Sequence, residues 1–147
     1  MEQRIALFPG SFDPFTVGHL SIVQRAASLF DKIIIAIGIN DKKTSQQTEE
    51  QRIEQIRKAV KGIPGAELIS YHGLTVDACK EHGAKYILRG IRCVADFEYE
   101  QHIADINRRI AGIETVILFT LPEHSAISSS IVRELDRYGY DTTDFKP

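Results

Sequence analysis

The residues best equipped for chemistry stand close to the N-terminus, in the stretch FPGSFDPFTVGHL, residues 8 to 20. One imidazole (His19), one carboxylate (Asp13), a hydroxyl (Ser11) and two glycines (Gly10, Gly18) share this short loop. Glycines lack Cβ, so an anion or a sugar can approach the main chain closely. Free N–H groups at a helix start favour negative charge, and an imidazole in the first helical turn can donate to phosphate oxygens. A histidine that merely caps or packs is the plainer reading of His19 taken alone; the constellation around it favours the anion site. The spacing matches neither GxGxxG nor GxxxxGK[ST], so dinucleotide-fingerprint and P-loop readings fall away. Asp13 is expected to shape the turn through side-chain-to-backbone bonds rather than to bind metal.

Two later segments carry compatible groups. ILRGIRCVADFEYE (87 to 100) places Arg89 at a strand end and Arg92 in the following loop. Their guanidinium forks can bind phosphate oxygens bidentately, or can pair with Asp96, Glu98 or Glu100. SAISSSIVREL (125 to 135) brings Ser128, Ser129 and Ser130 to the entry of a helix. One serine suffices for an N-cap, whereas three suit an anion resting on the helix N-terminus.

Placing these groups requires a particular frame. RIALF (4 to 8), KIIIAIGI (32 to 39), AELISY (66 to 71), KYILRG (85 to 90) and TVILFT (115 to 120) read as strands. The second and fifth are nearly apolar throughout, as expected for strands covered on both faces. Helical spacing links Leu20, Val23, Ala27 and Phe30; then Ile53, Ile56 and Val60; then Ile103, Ile106 and Ile110. A last helix is expected from the serine triplet. Five βα repeats predict an α/β fold, a single doubly wound five-stranded parallel sheet of Rossmann-like type, in one domain over residues 1–147. Its ligand site belongs beyond the carboxyl ends of the strands, at the switch in strand order.

Composition narrows the class. The chain is 43% hydrophobic and 26% charged with a net charge of −2, which gives no reason to expect a nucleic-acid binder. The run IIIAIGI (33 to 39) is far too short to span a bilayer, and MEQRIALF has charges where a signal peptide has its apolar core. Cys79 and Cys93 match no redox or zinc pattern and are expected to be small buried residues of a cytoplasmic protein.

GSFDPFTVGH resembles the first signature of the nucleotidyltransferase α/β-phosphodiesterase superfamily, (H/T)xGH, here Thr16 to His19. Together with RGIRCVADFEYE and AISSS, it makes the chain resemble the bacterial phosphopantetheine adenylyltransferases from about residue 4 to residue 138. The resemblance implies transfer of the adenylyl group of ATP to 4′-phosphopantetheine, giving 3′-dephospho-coenzyme A and pyrophosphate by direct in-line attack. It implies His19 at the α-phosphate, Phe12 in the ATP site, Ser11 in the ATP site and near the acceptor phosphate, and Arg89 on the triphosphate and in reach of the acceptor. Gly90, Ile91 and Arg92 would line the nucleotide side, with Glu100 near ribose and adenine. The segment His124, Ser125, Ala126, Ile127 and Ser128 to Ser130 would complete the ATP site. By ungapped register Lys43 would clamp the acceptor phosphate, although Lys42 can exchange roles with it; Leu74 and Thr75 would meet the pantetheine arm. Mg²⁺ is implied without a protein cage, held by phosphates and water. A homohexamer and feedback by coenzyme A are implied as well. Two other functions use the same residues: adenylyl transfer to a mononucleotide or polyol phosphate, and non-catalytic sensing of a nucleotide or coenzyme A.

Overall fold

A computed structural model describes residues 2–147. The elements alternate as the periodicities predict: β1 (Ile5–Gly10), α1 (Val17–Ala26), β2 (Lys32–Gly38), α2 (Glu49–Val60), β3 (Ala66–Tyr71), α3 (Thr75–Glu81), β4 (Tyr86–Ile91), α4 (Val94–Ala111), β5 (Glu114–Phe119) and α5 (Ser129–Arg137). All strand pairings are parallel, in the order β3-β2-β1-β4-β5.

Side chains that alternate along the strands build a core on each face of the sheet. Ala6, Phe8, Ile33, Ile35 and Ile37 pack with Ile22 and Val23 of α1 and Ile56 of α2. Leu7, Ala36 and Ile87 pack on the opposite face with Val76, Ala78 and Cys79 of α3 and with Ile113.

The sheet is parted where the strand order reverses. The β1–β2 register continues from Ile5–Lys32 to Gly10–Ile37, whereas β1 and β4 pair only through Ala6–Tyr86 and Leu7–Ile87. Beyond Leu7 the two strands splay, and the crevice so formed lies at the carboxyl ends, where open α/β sheets bind ligands.

Two expectations from apolar pattern fail, and one apolar helix face lies open. β5 is not covered on both faces: it is the edge strand, and Phe119 at its end is 74% exposed. Ile103, Ile106 and Ile110 of α4 form an exposed stripe, with Ile106 at 54%. Cys93 is exposed as well, because it precedes α4 in the loop at the strand mouth, whereas Cys79 is buried as expected. In each case the sequence is apolar where this chain provides nothing to cover it.

Candidate active site at the switch point

The opening loop is held by its carbonyl oxygens. Five of them accept from side chains of other elements: Pro9 from Arg89 Nη1 (2.7 Å), Ser11 from Arg52 Nη1 (2.9 Å), Asp13 from Arg133 Nη1 (2.6 Å), Pro14 from Ser129 Oγ (2.7 Å) and Phe15 from Gln55 Nε2 (3.1 Å). Hydrogen bonds from a charged donor contribute about 1.5–3 kcal/mol each, so the three arginines fix the loop firmly. Asp13 works across a longer distance than its own turn. Its buried carboxylate accepts from the main-chain N–H groups of Gln46 (2.9 Å) and Gln47 (2.8 Å), which ties down the loop that carries Lys42 and Lys43.

His19 and Thr16 cap α1 reciprocally. The His19 N–H donates to Thr16 Oγ1 at 3.4 Å, and the Thr16 N–H donates to His19 Nδ1 at 2.9 Å. This is a capping box with imidazole in the place usually held by Glu or Gln. Because Nδ1 accepts, the neutral ring carries its proton on Nε2. Phe15 stacks on the ring at 5.4 Å, and Phe12 meets it edge-on at 5.0 Å. Burial first, then the Arg89 and Arg92 cations, lowers the His19 pKa to about 3, so the imidazole is a neutral donor at physiological pH.

Phe12 occupies this place at a conformational cost. Its φ of 48° is left-handed, a region that costs a side chain about 1–2 kcal/mol. A Cβ on Gly10 would lie 2.8 Å from the Phe12 ring, so Gly10 serves that packing and not only a ligand's approach. A Cβ on Gly18 would meet Thr16 Oγ1 at 3.5 Å, an ordinary contact, which leaves the main chain open there.

Two cavities meet over this loop. The larger, about 620 Å³, is lined by Asn40, Lys42, Tyr71, Thr75, Tyr99 and Asn107 among others. The second, about 460 Å³, holds Phe12, His19, Lys43, Gly90, Arg92, Ile127, Ser128, Ser129, Ser130 and Arg133. Pro9, Gly10, Ser11, Arg89 and Glu100 line both and form the seam.

Arg89 near the end of β4 and Arg92 just after it both line the second cavity and are both ion-paired. Arg89 Nε and Nη2 donate to the two carboxylate oxygens of Glu100 at 2.9 and 2.6 Å, while Nη1 reaches across the splayed strands to Pro9. Arg92 pairs with Asp96 through Nε at 3.1 Å. Glu100 is buried and spends its carboxylate on Arg89.

The serine triplet divides its work. Ser128 Oγ caps α5 by accepting from the Ile131 N–H at 3.1 Å, Ser129 donates to Pro14, and Ser130 Oγ accepts from Arg133 Nη2 at 3.2 Å. The hydroxyl protons of Ser128 and Ser130 are left for an acceptor in the cavity.

Several expected residues do not line the two cavities. His124, Ser125 and Ala126 line neither cavity; they lie in and after the short 3₁₀ turn Pro122–His124, with the His124 Cβ 3.7 Å from where a Cβ on Gly18 would stand, and Ser125 Oγ donates back to the Pro122 carbonyl. Ile91 is buried and faces an outer apolar groove with Phe97 and Phe119. Leu74 points outward, 61% exposed, while its neighbour Thr75 lines the larger cavity and pairs with Tyr71 Oη at 2.9 Å. Arg52, Gln55 and Arg133 were not read as site residues, and only the i, i+3 spacing of Arg52 and Gln55 on one polar helix face hints at a shared task.

A family model described as cytidylyltransferase-like matches residues 7–135. A phosphopantetheine adenylyltransferase of Bacteroides fragilis is 52% identical over 145 residues, 99% of this chain and 97% of that protein. Its counterpart in Bacteroides thetaiotaomicron is 53% identical over 99% of this chain and 96% of its own length. Among solved structures, a bifunctional NMN adenylyltransferase/ADP ribose pyrophosphatase of Francisella tularensis superposes with a TM-score of 0.77 at 17% identity. That match covers 99% of this chain and 45% of the other, a likeness of fold. With its Thr16–His19 loop, parted sheet and serine-capped last helix, the chain belongs to the phosphopantetheine adenylyltransferases of the cytidylyltransferase-like family.

Proposed function

We propose that this chain transfers the adenylyl group of ATP to 4′-phosphopantetheine, forming 3′-dephospho-coenzyme A and pyrophosphate without a covalent intermediate. The observation that carries the reading is the seam: two cavities join at Ser11 and Arg89, with His19 on one side and room for an extended arm on the other. ATP belongs in the smaller, more cationic cavity, with its α-phosphate at His19, Arg89 and Arg92 and its outer phosphates at Ser128 and Ser130. The acceptor arm belongs in the larger one, its phosphate beside Ser11 and Lys43.

A phosphate monoester dianion is already a nucleophile, so no protein base is needed; positioning and charge stabilisation do the work. Neutral His19 donates from Nε2 to the oxygen on which charge builds.

Mg²⁺ accompanies the nucleotide in this reading, carried by phosphates and water. The carboxylates of Glu100, Asp96 and Asp13 are engaged by Arg89, by Arg92 and by the Gln46 and Gln47 amides, and no cluster of metal-ligating side chains occurs among the described residues. Coenzyme A, which carries the same arm, competes for the larger cavity. The uncovered stripe Ile103, Ile106 and Ile110 supports assembly of several copies, a homohexamer in this proposal. A cytoplasmic location is part of the same proposal; no helix among the described residues is long and apolar enough to cross a membrane.

The test is pyrophosphate release from Mg-ATP with 4′-phosphopantetheine or nicotinamide mononucleotide as acceptor. Release with phosphopantetheine alone is expected. Release with the mononucleotide alone would move the acceptor to another class, and silence with both in a folded, ATP-binding protein would point to a sensor.

A further inference from the structure

Among the described residues, Arg52 is the one buried cation that the reaction scheme leaves without a role. It stands in the first turn of α2, is 4% exposed, and forms no ion pair among the described residues. Its guanidinium donates only to main-chain oxygens, Nη1 to Ser11 at 2.9 Å and Nε to Thr48 at 3.4 Å. Buried arginines are ordinarily paired, because desolvating a lone cation is costly. At this site Arg89 has Glu100 and Arg92 has Asp96, so the missing counter-ion of Arg52 stands out. The residue it grips, Ser11, lies on the seam between the two cavities.

We infer that Arg52 is a positioning residue for the transfer: it lines neither cavity, fixes Ser11 through the main-chain carbonyl, and lends its unpaired charge, across that residue, to the bound phosphates. The identity of those phosphates rests on the adenylyltransferase reading; the unpaired charge does not. The competing role is a staple between α2 and the opening loop. Gln55, one turn further along, already supplies such a staple to Phe15, and Ile56 and Val60 bury the same helix in the core. Arg52 can therefore be replaced with the helix still docked.

The full chain, Arg52→Gln and Arg52→Lys are compared by two readouts. The first is the rise in Tm on adding inorganic triphosphate, a probe that needs no catalysis. The second is kcat and KM in pyrophosphate release. For Arg52→Gln the rise in Tm should fall to about half or less, since it measures the lost binding of an anion to the folded state. Its kcat should fall at least about tenfold, with the acceptor KM within about threefold, as expected when a reacting group is misplaced. Arg52→Lys keeps the charge and loses the planar fork, so it should restore the rise in Tm and leave kcat low.

A folded Arg52→Gln variant with the wild-type Tm rise and wild-type kcat would reduce Arg52 to a staple. If that variant does not fold, Arg52→Lys decides: a wild-type kcat overturns the positioning role. If the unaltered protein releases no pyrophosphate, the adenylyltransferase reading fails, and the triphosphate experiment still decides the role of Arg52.

Discussion

Arg89 grips both carboxylate oxygens of Glu100 while its third nitrogen holds the Pro9 carbonyl across the parted strands. One guanidinium thereby braces the crevice and presents its remaining N–H groups to the seam. Removing Arg89 leaves a carboxylate buried without a partner, which costs about 3 kcal/mol or more. Urea unfolding should show Arg89→Met strongly destabilised and Arg89→Met/Glu100→Gln substantially recovered. Equal instability of the two variants would mean that Pro9, not Glu100, is the contact that matters.

His19→Ala should lower kcat by about 10²–10³-fold, the usual loss for one transition-state donor, with ATP affinity changed far less. Stopped-flow rates and equilibrium titration with ATP separate the two. A variant that turns over normally would remove His19 from the chemistry.

The depressed pKa of His19 has a definite sign in stability. Between about 3 and its ordinary 6.5 the unfolded chain binds a proton that the folded chain excludes. The contribution of this group is therefore full above pH 6.5 and declines as the pH falls toward 3. His19→Gln should lose less stability between pH 7 and pH 4.5 than the unaltered protein. By NMR the His19 ring should show no ionisation from pH 5 to 8 in the free protein; a titration midpoint near 6.5 would contradict its burial among the phenyl rings.

Lys42 lines the larger cavity and Lys43 the smaller one. Lys43→Ala should weaken acceptor use more than Lys42→Ala, read as kcat/KM for the acceptor. The reverse ranking would shift the phosphate clamp by one residue.

The exposed stripe on α4 gives a prediction about assembly. Ile106→Glu should shift the mass measured by sedimentation toward smaller species with the fold retained. An unchanged mass would place the interface elsewhere.

Much of this was legible in the residues. Strand and helix periodicities gave the sheet and the position of its mouth, and TVGH, the paired arginines and the serine triplet were read as anion-binding groups before any geometry. What could not be read were links of high sequence separation. Arg52 to Ser11, Gln55 to Phe15 and Arg133 to Asp13 join a side chain to a main-chain oxygen, and an oxygen of the backbone carries no residue type to match. Apolar periodicity misled at β5 because it records that a face avoids water, not what covers it; at α4 it gave the helix and left open what meets its apolar face. The 3₁₀ turn that precedes Ser125 and Ala126 has no apolar period to announce it.

The donors that hold the opening loop come from α2, β4 and α5, so the anion cradle is complete only when all three are in place. A nascent polypeptide that has not yet emerged as far as Arg133 can form most of the sheet and still lack the brace on Asp13. Nucleotide binding thus reports on the docking of α5: in refolding experiments it should return no earlier than the packing of that helix on the opening loop.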